Sequence, residues 1–402
     1  MQNKMTNLPQ GWEVKKLEEI ANIKGGKRLP KGENLLDNNT KFTYIRVADF
    51  QDNGTINLQN IKFINENTYN VLKNYKIYDD NLYISIAGTI GKSGIIPKEL
   101  NGAILTENAV KLEYIQNNIS NKFMYFFTLS NIFKTQIQTS TKIVAQPKLA
   151  ITRLKQIQIP LPPLKEQERI VGILDESFAK IDESIKILEQ NLLNLDELMQ
   201  SALRKAFNPL NDDTKENYQL PQSWEWKSLE EISENISAGG DKPKNCTESK
   251  TAKNQIPVYA NGVNNNGLVG YTDKATIIKP SLTISARGTI GFVCIRKEPY
   301  FPIVRLISLI PCENILCLHY LYFCLNFFIA KGEGSSIPQL TIPKFKSLQI
   351  PLPPLKEQEQ IAKHLDFVFE KTKALKELYT KELKDYEELK QSLLNKAFKG
   401  EL

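Results

Sequence analysis

The sequence predicts an α+β protein built twice over, two mixed globular parts each followed by one long helix. Three observations carry this. The string Ile159-Pro160-Leu161-Pro162-Pro163-Leu164-Lys165-Glu166-Gln167-Glu168 returns unchanged at residues 350–359. Two echoes flank it: Leu8-Pro9-Gln10-Gly11-Trp12-Glu13 recurs as Leu220-Pro221-Gln222-Ser223-Trp224-Glu225, and Lys205-Ala206-Phe207 as Lys396-Ala397-Phe398. The offset between copies is 212 residues at the tryptophan string, 200 at a central Gly-Thr-Ile-Gly string, and 191 from the proline string onward. Each copy therefore joins a length-variable part to a tail of fixed length. The expected divisions are 1–160 and 209–351 for the globular parts, with 161–208 and 352–402 for the long helices.

Taken in order, each copy opens on its tryptophan string and a short helical stretch, Leu17-Glu18-Glu19-Ile20 or Leu229-Glu230-Glu231-Ile232. A Gly-Gly turn with basic neighbours follows, Lys24-Gly25-Gly26-Lys27-Arg28 in the first copy and Gly239-Gly240-Asp241-Lys242-Pro243-Lys244 in the second. Strand-like runs come next, at 42–47 and 82–87, then at 255–259 and 282–286. After Gly88-Thr89-Ile90-Gly91 or Gly288-Thr289-Ile290-Gly291, an aromatic-rich helical stretch (123–133; 316–328) leads to a last strand before the prolines. Glycine turns of this kind let backbone approach a ligand closely.

The tails read as helices of about 44 residues, roughly 65 Å at 1.5 Å per residue. In the first, Leu174, Phe178, Ile181, Ile185, Leu188, Leu192, Leu195, Met199 and Ala202 step by fours and threes, a coiled-coil seam. In the second, Leu365, Val368, Thr372, Leu375, Tyr379, Leu383, Tyr386, Leu389 and Leu393 follow a looser version with one break in register. Pro163 and Pro354 suit the helix entry, and Glu166 and Glu357 complement its positive end. An apolar seam this long is best buried against a similar one, which the other copy supplies.

Composition narrows the chemistry. The net charge is +7, and the excess sits in the globular parts: residues 1–163 hold 21 basic against 13 acidic side chains, residues 164–210 only 6 against 9. With two histidines in 402 residues, histidine-based acid–base or triad catalysis has almost nothing to work with. Gly88-Thr89-Ile90-Gly91-Lys92-Ser93 ends like a phosphate-binding loop, yet Ile86 stands where that loop needs its first glycine. Cys312, Cys317, His319 and Cys324 are metal-ligand types, but they lie along an apolar helix without a counterpart in the first copy and read as core residues. The odd cysteine number and the lack of a signal segment or membrane-length apolar run point to a cytoplasmic protein with reduced thiols. The expectation is a binding protein with no catalytic site, metal or cofactor of its own.

These strings together resemble the specificity (S) subunit of type I restriction-modification systems, across essentially the whole chain. The resemblance rests on the two Leu-Pro-x-x-Trp openings, the Gly-Gly turns, the Gly-Thr-Ile-Gly turns and the doubled Ile-Pro-Leu-Pro-Pro-Leu-x-Glu-Gln. It implies two target-recognition domains, each reading one half of a split sequence in double-stranded DNA. It also implies an antiparallel coiled coil that spaces them and docks two methyltransferase (M) subunits, with restriction (R) subunits joining. S-adenosylmethionine, ATP and Mg would then belong to those partners. On that view Pro163, Gln167, Leu174, Ile181, Leu188, Leu195, Pro354, Gln358, Leu365, Leu375 and Leu389 mark the spacer and docking helices. Candidates for DNA contact are Lys24, Lys27, Arg28, Arg46 and Lys92 in the first domain, and Lys242, Lys244, Asn264, Asn265, Arg287 and Lys331 in the second. Two other readings remain open. One is a specificity subunit of a related restriction-modification enzyme outside type I; the other is a coiled-coil adaptor that never touches DNA.

Overall fold

The repeated strings pair with each other. In the computed structural model, which describes residues 8–38, 40–140, 148–208, 210, 219–329 and 340–402, Glu13–Lys16 runs antiparallel to Gln158–Leu161, with Glu13 opposite Leu161. The second copy repeats the register, Glu225 opposite Leu352. Both are two-stranded sheets, so Pro160 and Pro351, which lack an N–H, interrupt no further ladder. The short helices Leu17–Ile20 and Leu229–Ile232 follow as expected and bury their first and last residues.

The chain divides into two compact units, residues 1–188 with 381–402 and residues 189–380. In the first, an antiparallel sheet runs in the order Ala21–Gly25, Ala109–Tyr114, Leu82–Ser85, Ser93–Ile95. A second sheet sets Thr43–Ile45 parallel to Ala103–Leu105, with Lys62–Phe63 and Lys76–Ile77 at its edges. The second unit repeats the first sheet as Ser233–Ala238, Ile307–Pro311, Ser281–Ile284, Val293–Arg296. Its smaller sheet sets Ile256–Tyr259 parallel to Phe301–Pro302, with Leu268–Thr272 alongside. The aromatic stretch of the first copy is not one helix but two, Asn121–Leu129 and Asn131–Ser140. Ser130 breaks it: its hydroxyl donates to the Phe127 carbonyl and accepts from the Phe133 N–H, offering the backbone partners outside the helix. The second copy keeps a single helix, Leu318–Phe328.

Each unit's core is completed by the far end of the other copy's helix. The long helices run Leu164–Phe207 and Leu355–Ala397, the first passing through Gly172 without a break. Leu394, Ala397 and Phe398 belong to the first core, where the Phe398 ring lies 5.1 Å from Phe123 and 5.5 Å from Phe127. Leu203 and Phe207 belong to the second, with Phe207 5.4 Å from Tyr320. This explains why the Lys-Ala-Phe ends are repeated: each supplies an aromatic plug.

Within each unit the two helices are antiparallel. Going forward from Leu174 to Asp182 on the first means going back from Phe398 to Lys390 on the second, where Lys390 meets Asp182 at 2.5 Å. In the other unit Lys376 pairs with Asp196 in the same sense. Leu174, Ile181, Leu188 and Leu195 are buried seven residues apart on the first helix, as the seam requires, and Leu365 and Thr372 are buried on the second. Leu375 and Leu389 do not lie in the seam; they are 39% and 45% exposed. Lys376 and Lys390, one residue and about 100° further round, take those places. A lysine stem covers apolar surface while its ammonium reaches an acid, and Lys390 also lies 5.7 Å over the Phe178 ring.

Pro163 and Pro354 stand just before the helices rather than inside the first turn, their carbonyls accepting from the Gln167 and Gln358 N–H groups. Those two glutamines are 1% and 0% exposed. Gln167 donates to the Asn118 and Pro162 carbonyls and accepts from the Ser120 N–H, and Gln358 does the same with Ile315, Pro353 and Cys317. The repeated Glu-Gln is thus a clamp between the long helix and the start of the aromatic helix. No helix among the described residues is long and apolar enough to cross a membrane.

Candidate nucleic-acid interface

The two repeated glycine turns meet the link between the two sheets at one end of each domain. In the first, the Gly26 N–H donates to the Ala109 carbonyl (3.0 Å) and the Lys27 N–H to the Leu105 carbonyl (2.9 Å), bringing the Gly-Gly turn onto the link between two sheets. Gly26 has to be glycine there, because a Cβ would fall 2.1 Å from the Thr106 carbonyl oxygen. The Asn108 carbonyl in that link accepts from Ile86 and Ala87, tying in the approach to the Gly-Thr-Ile-Gly turn. The second domain rebuilds the arrangement, with Gly239 donating to Leu306 (2.8 Å) and Val304 and Arg305 donating to Gly240 and Gly239. A Cβ on Gly239 would lie 2.6 Å from the Ile303 nitrogen. Replacing Gly239 by alanine is expected to lower stability by about 2 kcal/mol, the cost of forcing backbone apart in a packed site. Amide hydrogen exchange on Ser281–Ile284 equal to wild type would show that the approach is not as close as described.

The Gly-Thr-Ile-Gly turns close on themselves. Gly91 donates to Ser85 and Lys92 to Thr89; Gly291 and Phe292 do likewise with Ser285 and Thr289. These amides are used within the turns, each of which joins two strands of the antiparallel sheet.

The basic candidates of the first domain are mostly paired. Lys24 meets Glu113 at 2.6 Å, Arg28 meets Glu107 at 2.8 Å, and Lys92 meets the fully exposed Asp52 at 2.8 Å. Lys27 lies 5.9 Å over the Tyr75 ring. Burial pushes the Glu107 carboxyl up, but hydrogen bonds from Arg28, its own backbone and Thr106 outweigh this and hold it below the ordinary range. The hydrogen bond to Glu107 in turn raises Arg28. Exposed pairs of this kind are weak in water and can open towards a phosphate. Arg46 differs. It grips the buried Asp49 with two nitrogens and donates to the Asn60 carbonyl, so its donors serve the domain itself.

In the second domain Lys242, Lys244, Asn264, Asn265 and Arg287 are all exposed. Asn265 and its neighbour Asn266 adopt left-handed backbone, with φ of 48° and 50°. Lys331 lies outside the described residues. Sequence reasoning passed over four residues that build this end. Arg296, 8% exposed, lies 3.6 Å over the Tyr259 ring, donates to the Thr283 hydroxyl, and holds the Asn266 carbonyl at 2.5 Å. Asn261 joins three segments, donating to the Val304 carbonyl and accepting from the Ala286 N–H. Val304 and Arg305 complete the set. Only Asn261 had a readable signal, the turn-forming run Asn261-Gly262-Val263-Asn264-Asn265-Asn266-Gly267.

No group of three or more His, Cys, Asp or Glu residues among those described converges as a metal would require. Cys324 is buried, which pushes its thiol well up, and His319 Nδ1 sits 2.8 Å from Asp366 Oδ2, linking the aromatic helix to the second long helix.

Comparison with known proteins agrees with this layout. The family model described as "Type I restriction modification DNA specificity domain" matches the chain twice, at residues 9–193 and 221–385. A Mycoplasma pneumoniae protein that carries the name of a type I specificity subunit is 29% identical over 353 residues, covering 87% of each chain. A chain from work on complex assembly and conformational transition of the type I restriction-modification system superposes with a TM-score of 0.81, at 20% identity, over 98% of this chain and 100% of that one. The HsdS subunit from Thermoanaerobacter tengcongensis gives 0.61 at 21% identity, over all of both chains. These two likenesses concern the fold.

Proposed function

Because the chain belongs to the type I restriction-modification DNA specificity family, we propose that it reads a split target in double-stranded DNA, one half per domain, for methyltransferase and restriction subunits that carry the chemistry. The observation that carries this is the same end, two turns and a link, built twice with different side chains on it. The first domain presents Lys27, Arg28, Glu107 and Asn108 there; the second presents Asn264, Asn265, Arg287 and Arg305. Equal scaffolds with unlike polar surfaces suit two unlike half-sites, since hydrogen bonds to base edges specify sequence while lysines on phosphates position the protein. The chain itself would be non-catalytic and would act in the cytoplasm. S-adenosylmethionine, ATP and Mg would be bound by its partners, and the exposed Leu375 and Leu389 would lie on helix faces open to them.

Exchange of residues 10–150 for the same region of a relative tests the reading. With the methyltransferase partner present, one half of the methylated sequence should change and the other should stay. A change in both halves, or in neither, would overturn it. Absence of salt-dependent DNA binding by the complex would favour an adaptor instead.

A further inference from the structure

The link between the parallel strand and the central strand differs sharply between the two domains. Strand pairing sets Leu105 equivalent to Pro302 and Val110 equivalent to Ile307. Glu107 therefore corresponds to Val304, and Asn108 to Arg305. In the first domain the acid at this place holds Arg28. In the second an exposed valine replaces it, and among the described residues no acid pairs with Arg305.

The backbone at this place is also unusual. Val304 and Arg305 have φ of 53° and 59°, a region that is uncommon outside glycine and a true outlier for a β-branched residue. Four hydrogen bonds impose it. Val304 and Arg305 donate to Gly240 and Gly239, Leu306 donates to Ile303, and the Asn261 side chain holds the Val304 carbonyl at 2.7 Å. Asn261 opens the loop that carries the other left-handed pair, Asn265-Asn266, itself braced from below by the buried Arg296. Strain kept in place by this many bonds marks a functional position. It also fixes the direction in which an exposed guanidinium leaves the surface, as readout requires.

We propose that Arg305 is the specificity-determining residue of the second domain and that it recognises guanine in its half-site. The guanidinium offers two parallel donors to the O6 and N7 acceptors on the major-groove edge of that base. This rests on the DNA-reading function proposed above.

The test uses the complex with its methyltransferase partner and duplexes in which each base pair of the target is varied in turn. Arg305→Asn removes the guanidinium while keeping a residue that tolerates left-handed backbone. It should reduce discrimination at one G·C pair of one half-site by about tenfold to a hundredfold, with the other half-site unchanged. Arg305→Lys keeps the charge and can still donate to O6 and N7 but lacks the planar fork, so it should keep only part of that discrimination. Equal weakening on every sequence by Arg305→Asn would place the residue on a phosphate and overturn the assignment. So would an unchanged preference in both variants. Should the wild-type complex show no base preference in either half, the DNA-reading function itself fails, which separates the two ideas.

Discussion

Phe398→Ala should cost the first unit about 3–5 kcal/mol, the usual range for emptying a fully buried aromatic site, and leave the second unit unchanged. The ring fills the space against Phe123 and Phe127 in a core whose other members come almost entirely from residues 17–174. A single unfolding transition is a poor readout for two units, so the measurement is amide hydrogen exchange on the paired central strands. Leu82–Ser85 should lose protection; Ser281–Ile284 should not. Phe207→Ala should give the mirror image, since that ring packs on Tyr320 and its neighbours in the second core. Equal loss in both strands for either variant would mean that the plugs do not belong to separate cores.

Gln358→Ala comes next in size, at about 3 kcal/mol. The side chain is fully buried and makes three hydrogen bonds, and truncation leaves the Cys317 N–H and the Ile315 and Pro353 carbonyls without it. Each buried polar group left unsatisfied costs about 1–3 kcal/mol, partly relieved where water can enter. Gln167→Ala removes the same three contacts in the first unit and should behave alike. Amide hydrogen exchange checks both, on Ser281–Ile284 for Gln358→Ala and on Leu82–Ser85 for Gln167→Ala; a change equivalent to less than about 1 kcal/mol would show that the clamp is dispensable.

The architecture was legible because repetition speaks at the level of strings. The Trp and proline strings turned out to be strand partners, and the strict 191-residue spacing of the tails matches two helices that each finish the opposite core. What escaped was whatever depends on direction in space. Leu375 and Leu389 were better apolar candidates than Lys376 and Lys390, yet a shift of one residue decides which side chain faces the partner helix. A lysine that uses its stem for packing looks the same in sequence as one in solvent. At the candidate interface, basic residues near glycines were easy to find, but not that Arg46 would be held by Asp49 while Arg305 stood open. Left-handed backbone at Val304 has little local signature, since three of the four bonds imposing it come from residues 261, 239 and 240.

The crossed aromatic plugs have a consequence for biosynthesis. A ribosome that has just made the first domain's own tail has made a plug for a domain that does not yet exist. The plug it needs lies 191 residues downstream. Phe123 and Phe127 lie 275 and 271 residues before Phe398, so at about 5–20 residues per second they wait roughly 14–55 s before their lid arrives. During that interval the nascent chain carries an open greasy socket, a natural client for chaperones that bind at the exit tunnel.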